Sequence, residues 1–408
     1  MKVEKTITKT SGRCINVSAS TVTSLRINNQ IENTVRVYDK GCIGVEGCLG
    51  SADFDKMQKT ATDKLQQGIA YPETHDEPRT LSMDVSKQIF AEEEFVDKIK
   101  HLVARLAKEN PEFIFSNKVI LDSTEKTYEN SDGAHLFYKG NCLSVGLALQ
   151  KKGSANIMDE FYDCESDSFD EDAICADIHD KCRAFLTQLP QIQEDEVTVI
   201  GNIEPLQYAI SHFVADLYFN NASIFNGKLG QKLFSEKLNL TINRDPEKQL
   251  NLPFFDAEGV VNDGYTKHIV RNGVLTTLLT CKKSAAQYGT DNLGSSSAQY
   301  NGVPTIGIGG FSVQPTAENL QQLVTGKAVY ISVTGGGDMT PSGDISIPVM
   351  VAYLVENGKL VGKLPEFAVS CNLFDMLGDG FVGACENGFY RFGKRQYFVY
   401  KAKLVNKQ

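Results

Sequence analysis

Three groupings in this chain hold residue types that could do chemistry. Cys175, His179 and Cys182 stand at i, i+4 and i+7 of a stretch with helical spacing, so they share one stripe, and Cys164 lies nearby in sequence. Thiolate and imidazole are zinc donors. A single helix cannot wrap a tetrahedral ion, however, and Ile178, Cys182 and Phe185 form an apolar stripe on the same segment, so two buried thiols and an edge histidine are the expected state. The second grouping comprises Cys371, set between Val369 and Leu373, and His212 with Asp216 four residues on. Either could supply a nucleophile or base, but neither has a readable third member to orient it, and a packed thiol and a polar helix face are the alternatives. The third is the stretch from Thr334 to Leu360, TGGGDMTPSGDISIPVMVAYLVENGKL. Gly335, Gly336 and Gly337 permit close backbone approach, so amides there could face a ligand cleft, or the glycines could simply make a tight turn.

The elements that must position these groups are those of a soluble α+β protein. At 408 residues the chain is long enough for two or three domains. No window approaches a membrane span and the first residues lack an apolar signal core, so a cytoplasmic location and no membrane association are expected. The ten cysteines include no CxxC pair, which suits idle thiols in a reducing compartment. The formal charge of −10 comes from one segment, Asp159 to Asp180, with ten acidic residues and no Lys or Arg. Without a basic stripe, direct nucleic-acid binding is not expected. The acidic run itself reads as a solvated loop or helix face, or as a contact surface for a regulatory partner.

Apolar alternation over residues 13–48, with Val22, Leu25, Ile27, Val35, Val37, Ile43 and Val45 inward and a turn at Asn28 and Asn29, predicts a small meander. Helices are expected from Phe54 to Ile69, from about Glu92 to Asn110, and from Asp172 to Leu189, with a loop over Tyr71 to Lys87 and strands at Val119 to Leu121, Ala134 to Tyr138 and Cys142 to Leu149. Beyond a polar stretch near Pro190 to Glu196 the pattern changes. A helix from about Pro205 to Phe219 precedes hairpin-rich β structure with turns at Asp263 and Gly264, Asn272 and Gly273, and Asn357 and Gly358. A short helix from Thr316, its candidate cap, to Gly326 is also expected. The architecture read from this is two domains: residues 1–192, a mixed sheet with helices, and residues 193–408, hairpin-rich β.

FNGKLGQKL at 225–233, DAEGV at 256–260, IVRNGVLTTLL at 269–279 and GDMTPSGDISIPVMVAYLVENGKLVGKLPEFAVSCNLFDML at 337–377, in that order and spacing, resemble the TldD and PmbA (TldE) proteins, described as modulators of DNA gyrase and as peptidases. NNQIENTVRVYDKGCIGVEG at 28–47 matches more loosely. The resemblance implies a cytoplasmic two-domain subunit that dimerises, with zinc held in the TldD-type subunit by His-Glu-x-x-x-His and a later cysteine. Zinc needs converging nitrogen or thiolate donors and a base beside the bound water.

This chain departs from that pattern. None of its six histidines precedes a glutamate, and the motif positions fall near Leu206, Gln207 and Ser211, with His212 off by one. The late Cys-Gly-Lys element corresponds to Phe392, Gly393 and Lys394. The resemblance is thus to the PmbA/TldE branch: a non-catalytic subunit with no metal or other cofactor of its own, partnering a TldD-like metallopeptidase or a second copy of itself. Gly335, Gly336, Gly337, Asp338, Asp344 and Ser346 are the expected contacts to an extended peptide, by strand addition. The competing expectations are a peptidase with an unrecognised site and a regulatory binding protein.

Overall fold

The structure, a computed structural model, describes residues 1–406 except Glu92 and Ile203. Strand β1 (Lys2–Ser18) turns through Ala19 and Ser20, both with positive φ, into β2 (Thr21–Asp39), which returns as β3 (Cys42–Leu49). Asn28 and Asn29 are therefore not a turn. They lie within β2 opposite Gly12 and Ser11, and the Ser11 hydroxyl donates to Asn29 Oδ1 at 2.7 Å, so this side chain is satisfied across the strand rather than by bending its own backbone. β3 pairs with β2 only from Glu32 to Asp39. On the unpaired stretch Leu25 and Ile27, expected inward, are 41% and 56% exposed, whereas Val35, Val37, Ile43 and Val45 are buried.

Helix α1 (Phe54–Lys64), capped by Asp53, sets Met57 and Ala61 on Val35 and Val37. The stretch expected as a loop, residues 71–87, contains strand β4 (Arg79–Asp84), whose polar alternate residues hid its partly buried Leu81 and Met83. Helix α2 (Glu94–Glu109) buries Phe95, Ile99, Leu102, Val103 and Leu106, as their spacing requires; Glu92, where it was expected to start, lies outside the described residues. Strands β5 (Phe113–Asn130) and β6 (Ala134–Lys151) are longer than the apolar runs that announce them. β7 (Glu160–Ser166) and helix α3 (Glu171–Leu186) complete this layer. The sheet order is β3-β2-β1-β5-β6-β4, with β7 also on β6, and β4 parallel to β6 makes it mixed. The expected α+β class holds.

The second sheet closes on itself. Glu196–Gly201 pairs with Tyr397–Asn406 and, in parallel, with Lys327–Thr334; Asp344–Glu356 pairs with Lys327–Thr334 on one side and Phe367–Asn372 on the other; Phe367–Asn372 returns to Tyr397–Asn406. Closure leaves no unpaired edge in this five-stranded ring. Strand alternation then sorts the side chains. Val199, Val329 and Phe398 join the core of the C-terminal half, while Ile200, Tyr330 and Val399 join the core that holds α2, α3 and the first sheet.

Two expected helices are cut short. The segment from Pro205 to Phe219 is interrupted at Val214, which is extended (φ −69°, ψ 127°), so α and 3-10 turns end at Phe213 and a separate short helix, Ala215–Phe219, follows. The other is only Leu320–Leu323, and its cap is Asn319, which accepts the Gln322 N–H at 3.1 Å, rather than Thr316. The turns at Asn272 with Gly273 and at Asn357 with Gly358 carry the positive φ values that a tight hairpin needs. Among the described residues, no helix is long and apolar enough to cross a membrane.

The acidic segment is not simply a solvated face. Glu160 has no exposed surface; it accepts the Ser332 hydroxyl at 2.8 Å and the Tyr353 hydroxyl, and pairs with the buried Lys181 ammonium at 3.0 Å. Buried Asp177 accepts the backbone N–H groups of Arg391 and Phe392 at 2.9 and 3.0 Å and the Arg391 guanidinium at 2.9 Å. Both acids thus tie the first layer to the second. A further junction is Glu258, also fully buried, which accepts the Tyr71 hydroxyl at 2.5 Å and the Lys282 N–H at 2.9 Å.

Removing one partner of a buried ion pair strands the other. Lys181→Met is expected to lower the unfolding free energy by about 3 to 5 kcal/mol in urea titrations, with Glu160→Gln added to it restoring part of the loss. Burial, reinforced by the nearby Asp256 charge, raises the Glu258 carboxyl from its ordinary 4.5 to about 7. Between those values the folded chain keeps a proton that the unfolded chain has released, so this group's contribution is full below about 4.5 and is lost as pH rises through about 7. Glu258→Gln should flatten that part of the stability–pH curve relative to wild type.

Candidate functional site

The segment from Pro205 to Phe213, the glycine loop and the turn at Phe392 to Lys394 approach one cavity of about 170 Å³. Pro205 and Tyr208 line it from the first segment, Ser332 and Thr334 from the strand entering the glycine loop, Ile347 from the strand leaving it, and Arg395 and Tyr397 from the residues just past the turn. Gly337 is required here, since a Cβ would lie 2.2 Å from the Tyr208 hydroxyl. The carbonyl of Phe392 accepts the Cys164 thiol at 2.7 Å, and Gly393, at φ 79°, is so close to Glu165 that a Cβ would meet its carbonyl at 2.5 Å. The Lys394 N–H donates to that same carbonyl at 2.8 Å.

The residues at the motif positions do not suit a zinc ion. Leu206 is fully buried in the C-terminal core, Gln207 and Ser211 are exposed, and Phe392 is buried. Among the described residues, no three His, Cys, Asp or Glu side chains come together as a metal-holding group. His212 is half-buried, its Nδ1 accepting the Ile224 N–H at 3.3 Å, and burial lowers its pKa. Asp216, beyond the break at Val214, instead sits near Tyr288 and helps to raise the pKa of its hydroxyl. Cys175 and Cys182 are buried in the apolar core, while His179 is exposed with its Nδ1 3.0 Å from Asn110 Oδ1. That stripe is core packing and an edge histidine.

The glycine-loop residues take different parts. Gly335 donates its N–H to the Pro348 carbonyl at 2.8 Å. Gly336 carries positive φ, and Asp338 starts a short strand, Asp338–Met339, that lies along Ile345 and Ser346. Ser346 is paired with Asp338 on one side and Ser370 on the other, so its strand has no free edge at that point. The open edge belongs to Asp338 and Met339, the last strand in the order. Asp344 holds the intervening turn: its carboxylate accepts from Asn372 at 3.0 Å and Ser342 at 2.6 Å, bonds that lower its pKa.

Several lining residues carry no sequence signal. Lys181, Tyr330 and Arg395 come from remote segments; the Arg395 guanidinium donates to the Tyr330 hydroxyl at 3.0 Å and to the Asp163 carbonyl, and lies 4.6 Å from the Tyr390 ring centre. Their basic and aromatic types were visible, but not their convergence.

Cys371 is half-buried, and burial raises its pKa to about 11, so it is a thiol near neutral pH. Alkylation by iodoacetamide in the native protein, followed by mass spectrometry, should be much slower at Cys371 than for a free thiol at pH 7.5, and should accelerate as pH is raised.

Residues 204–389 match the family model of the PmbA/TldA metallopeptidase C-terminal domain. The chain is 27% identical over 166 residues to the metalloprotease MJ0996 of Methanocaldococcus jannaschii, covering 40% of this chain but only 36% of that protein, little more than a third of its length. It is 24% identical over 370 residues to the metalloprotease PmbA homologue of Haemophilus influenzae, covering 89% of this chain and 76% of that one. In structure it superposes on TldE of Thermococcus kodakarensis with a TM-score of 0.80 at 15% identity, covering 99% and 96% of the two chains, which establishes a shared fold. The chain is thus similar to the TldD/PmbA proteins in the sequence of its C-terminal half and shares the fold of TldE.

Proposed function

We propose that this chain is a non-catalytic, PmbA/TldE-like subunit that joins a TldD-like metallopeptidase and helps to hold unfolded or extended peptides for it. The observation that carries this reading is the replacement of every metal-handling group at once: Leu206 is built into the core, Gln207 and Ser211 offer no zinc donor of the required type, and Phe392 stands where a thiolate would. Zinc then belongs to the partner, and this chain contributes surface and shape. A peptide has a place to lie. The open edge at Asp338 and Met339 borders the glycine loop and can add a strand, with Gly335 to Gly337 leaving the approach uncluttered and Asp344 fixing the turn behind it. The rival reading, a peptidase using Cys371 or His212 with Asp216, lacks support in the geometry, because the thiol is held protonated and the His–Asp dyad does not form. A regulatory role for the acidic segment is weakened by Glu160 and Asp177, which are occupied internally.

The test is metal analysis of the purified chain alongside hydrolysis of an unstructured peptide pool, alone and after mixing with the TldD-like protein of the same cell. The chain alone should carry no stoichiometric zinc and cleave nothing, and the mixture should elute as one complex whose hydrolysis stops with chelator. Chelator-sensitive cleavage by the chain alone, or failure of the two proteins to associate, overturns the proposal.

A further inference from the structure

One cation lining the cavity behind Ser332 and Thr334 has no carboxylate partner among the described residues. Two cations line this cavity. Lys181 is neutralised by Glu160 at 3.0 Å. Among the described residues, the partners of Arg395 are all neutral: the Tyr330 hydroxyl, the Asp163 carbonyl and the face of Tyr390. Among the described residues no carboxylate oxygen lies within ion-pair distance of its guanidinium. Burial raises the pKa values of the neighbouring Tyr390, Tyr397 and Cys164 and keeps them protonated, so these three supply no charge to it.

A partly desolvated guanidinium with donors to spare is matched best by a planar, singly charged group that can accept two parallel bonds. The volume of about 170 Å³ is close to that of a cavity that takes one benzene-sized group, enough for a carboxylate and the residue that bears it. The rings of Tyr330 and Tyr397 supply apolar wall beside Arg395. We infer that this cavity is a carboxylate pocket in which Arg395 binds the anionic group of a peptide, its C-terminus or an acidic side chain; this rests on the peptide-holding reading above. The glycine loop then leads an extended chain to the pocket, and Arg395 sets where along the peptide the chain is held.

The experiment is calorimetric titration of the wild-type chain, Arg395→Gln and Tyr330→Phe with an unstructured peptide free of acidic side chains, as free acid and as C-terminal amide, with the amide carrying one internal Glu, and with N-acetylphenylalanine and its amide as small probes. The free acid should bind wild type about tenfold or more tighter than the amide, the gap should vanish in Arg395→Gln, and it should narrow in Tyr330→Phe, which loses the hydroxyl that orients the guanidinium. Recovery of affinity by the Glu-bearing amide assigns the side chain as the carboxylate source, and no recovery assigns the C-terminus. Equal binding of acid and amide forms of both peptide and small probe, or a gap that survives in Arg395→Gln, overturns the pocket and leaves peptide holding intact if the amide peptide binds. Discrimination between N-acetylphenylalanine and its amide with no peptide binding keeps the pocket and overturns peptide holding. Thermal unfolding of each variant separates lost affinity from lost fold.

Discussion

A carboxylate with no exposed surface must be neutralised and hydrogen-bonded where it sits, and at Glu160 the groups that do this come from three segments. Lys181 arrives on α3, Ser332 on the strand entering the glycine loop, and Tyr353 on the strand leaving it. The two layers can therefore satisfy this acid only in one relative placement. That placement also sets Lys181 against the cavity and brings Arg395 to the carbonyl of Asp163, so the candidate site is organised by the junction rather than by either layer alone. Asp177 with Arg391 and Glu258 with Tyr71 and Lys282 repeat the arrangement elsewhere on the interface.

What was legible in the sequence was what local pattern controls. The five apolar residues of α2 sit at helical spacing and are all buried, and Asn357 with Gly358 could only turn the chain back on itself. The N-terminal part of β1 was missed because its inward residues include charged ones: Lys2 is buried against Asp76 at 2.6 Å and Asp132 at 3.2 Å, and Glu4 accepts the Tyr38 hydroxyl at 2.8 Å. A search for apolar alternation passes over such a strand. Asn28 and Asn29 misled for the converse reason, since a residue that favours turns will also sit in a strand when its side chain finds a partner across the ladder.

The site divides along the same line. The strand leading into the glycine loop and the segment around Tyr208 were readable, one from composition and the other from family spacing, and both border the cavity. Arg395 was not, because its partners Asp163, Tyr330 and Tyr390 belong to distant parts of the chain and no spacing rule connects them. The acidic run showed the limit of composition most plainly: ten acidic residues suggested a solvated surface, yet two of them, Glu160 and Asp177, are among the most buried groups of the interface.

The closed ring of strands bears on how the molecule is made. Tyr397–Asn406, the last strand described, lies between Glu196–Gly201 and Phe367–Asn372, so it must pair with a segment synthesised some two hundred residues earlier. Until it emerges, both neighbours present open edges, and the half of the shared core that depends on Tyr397 and Val399 is unfilled. Folding of such a topology is governed by non-local closure, and its vulnerable period is the interval of translation during which the ring stands open.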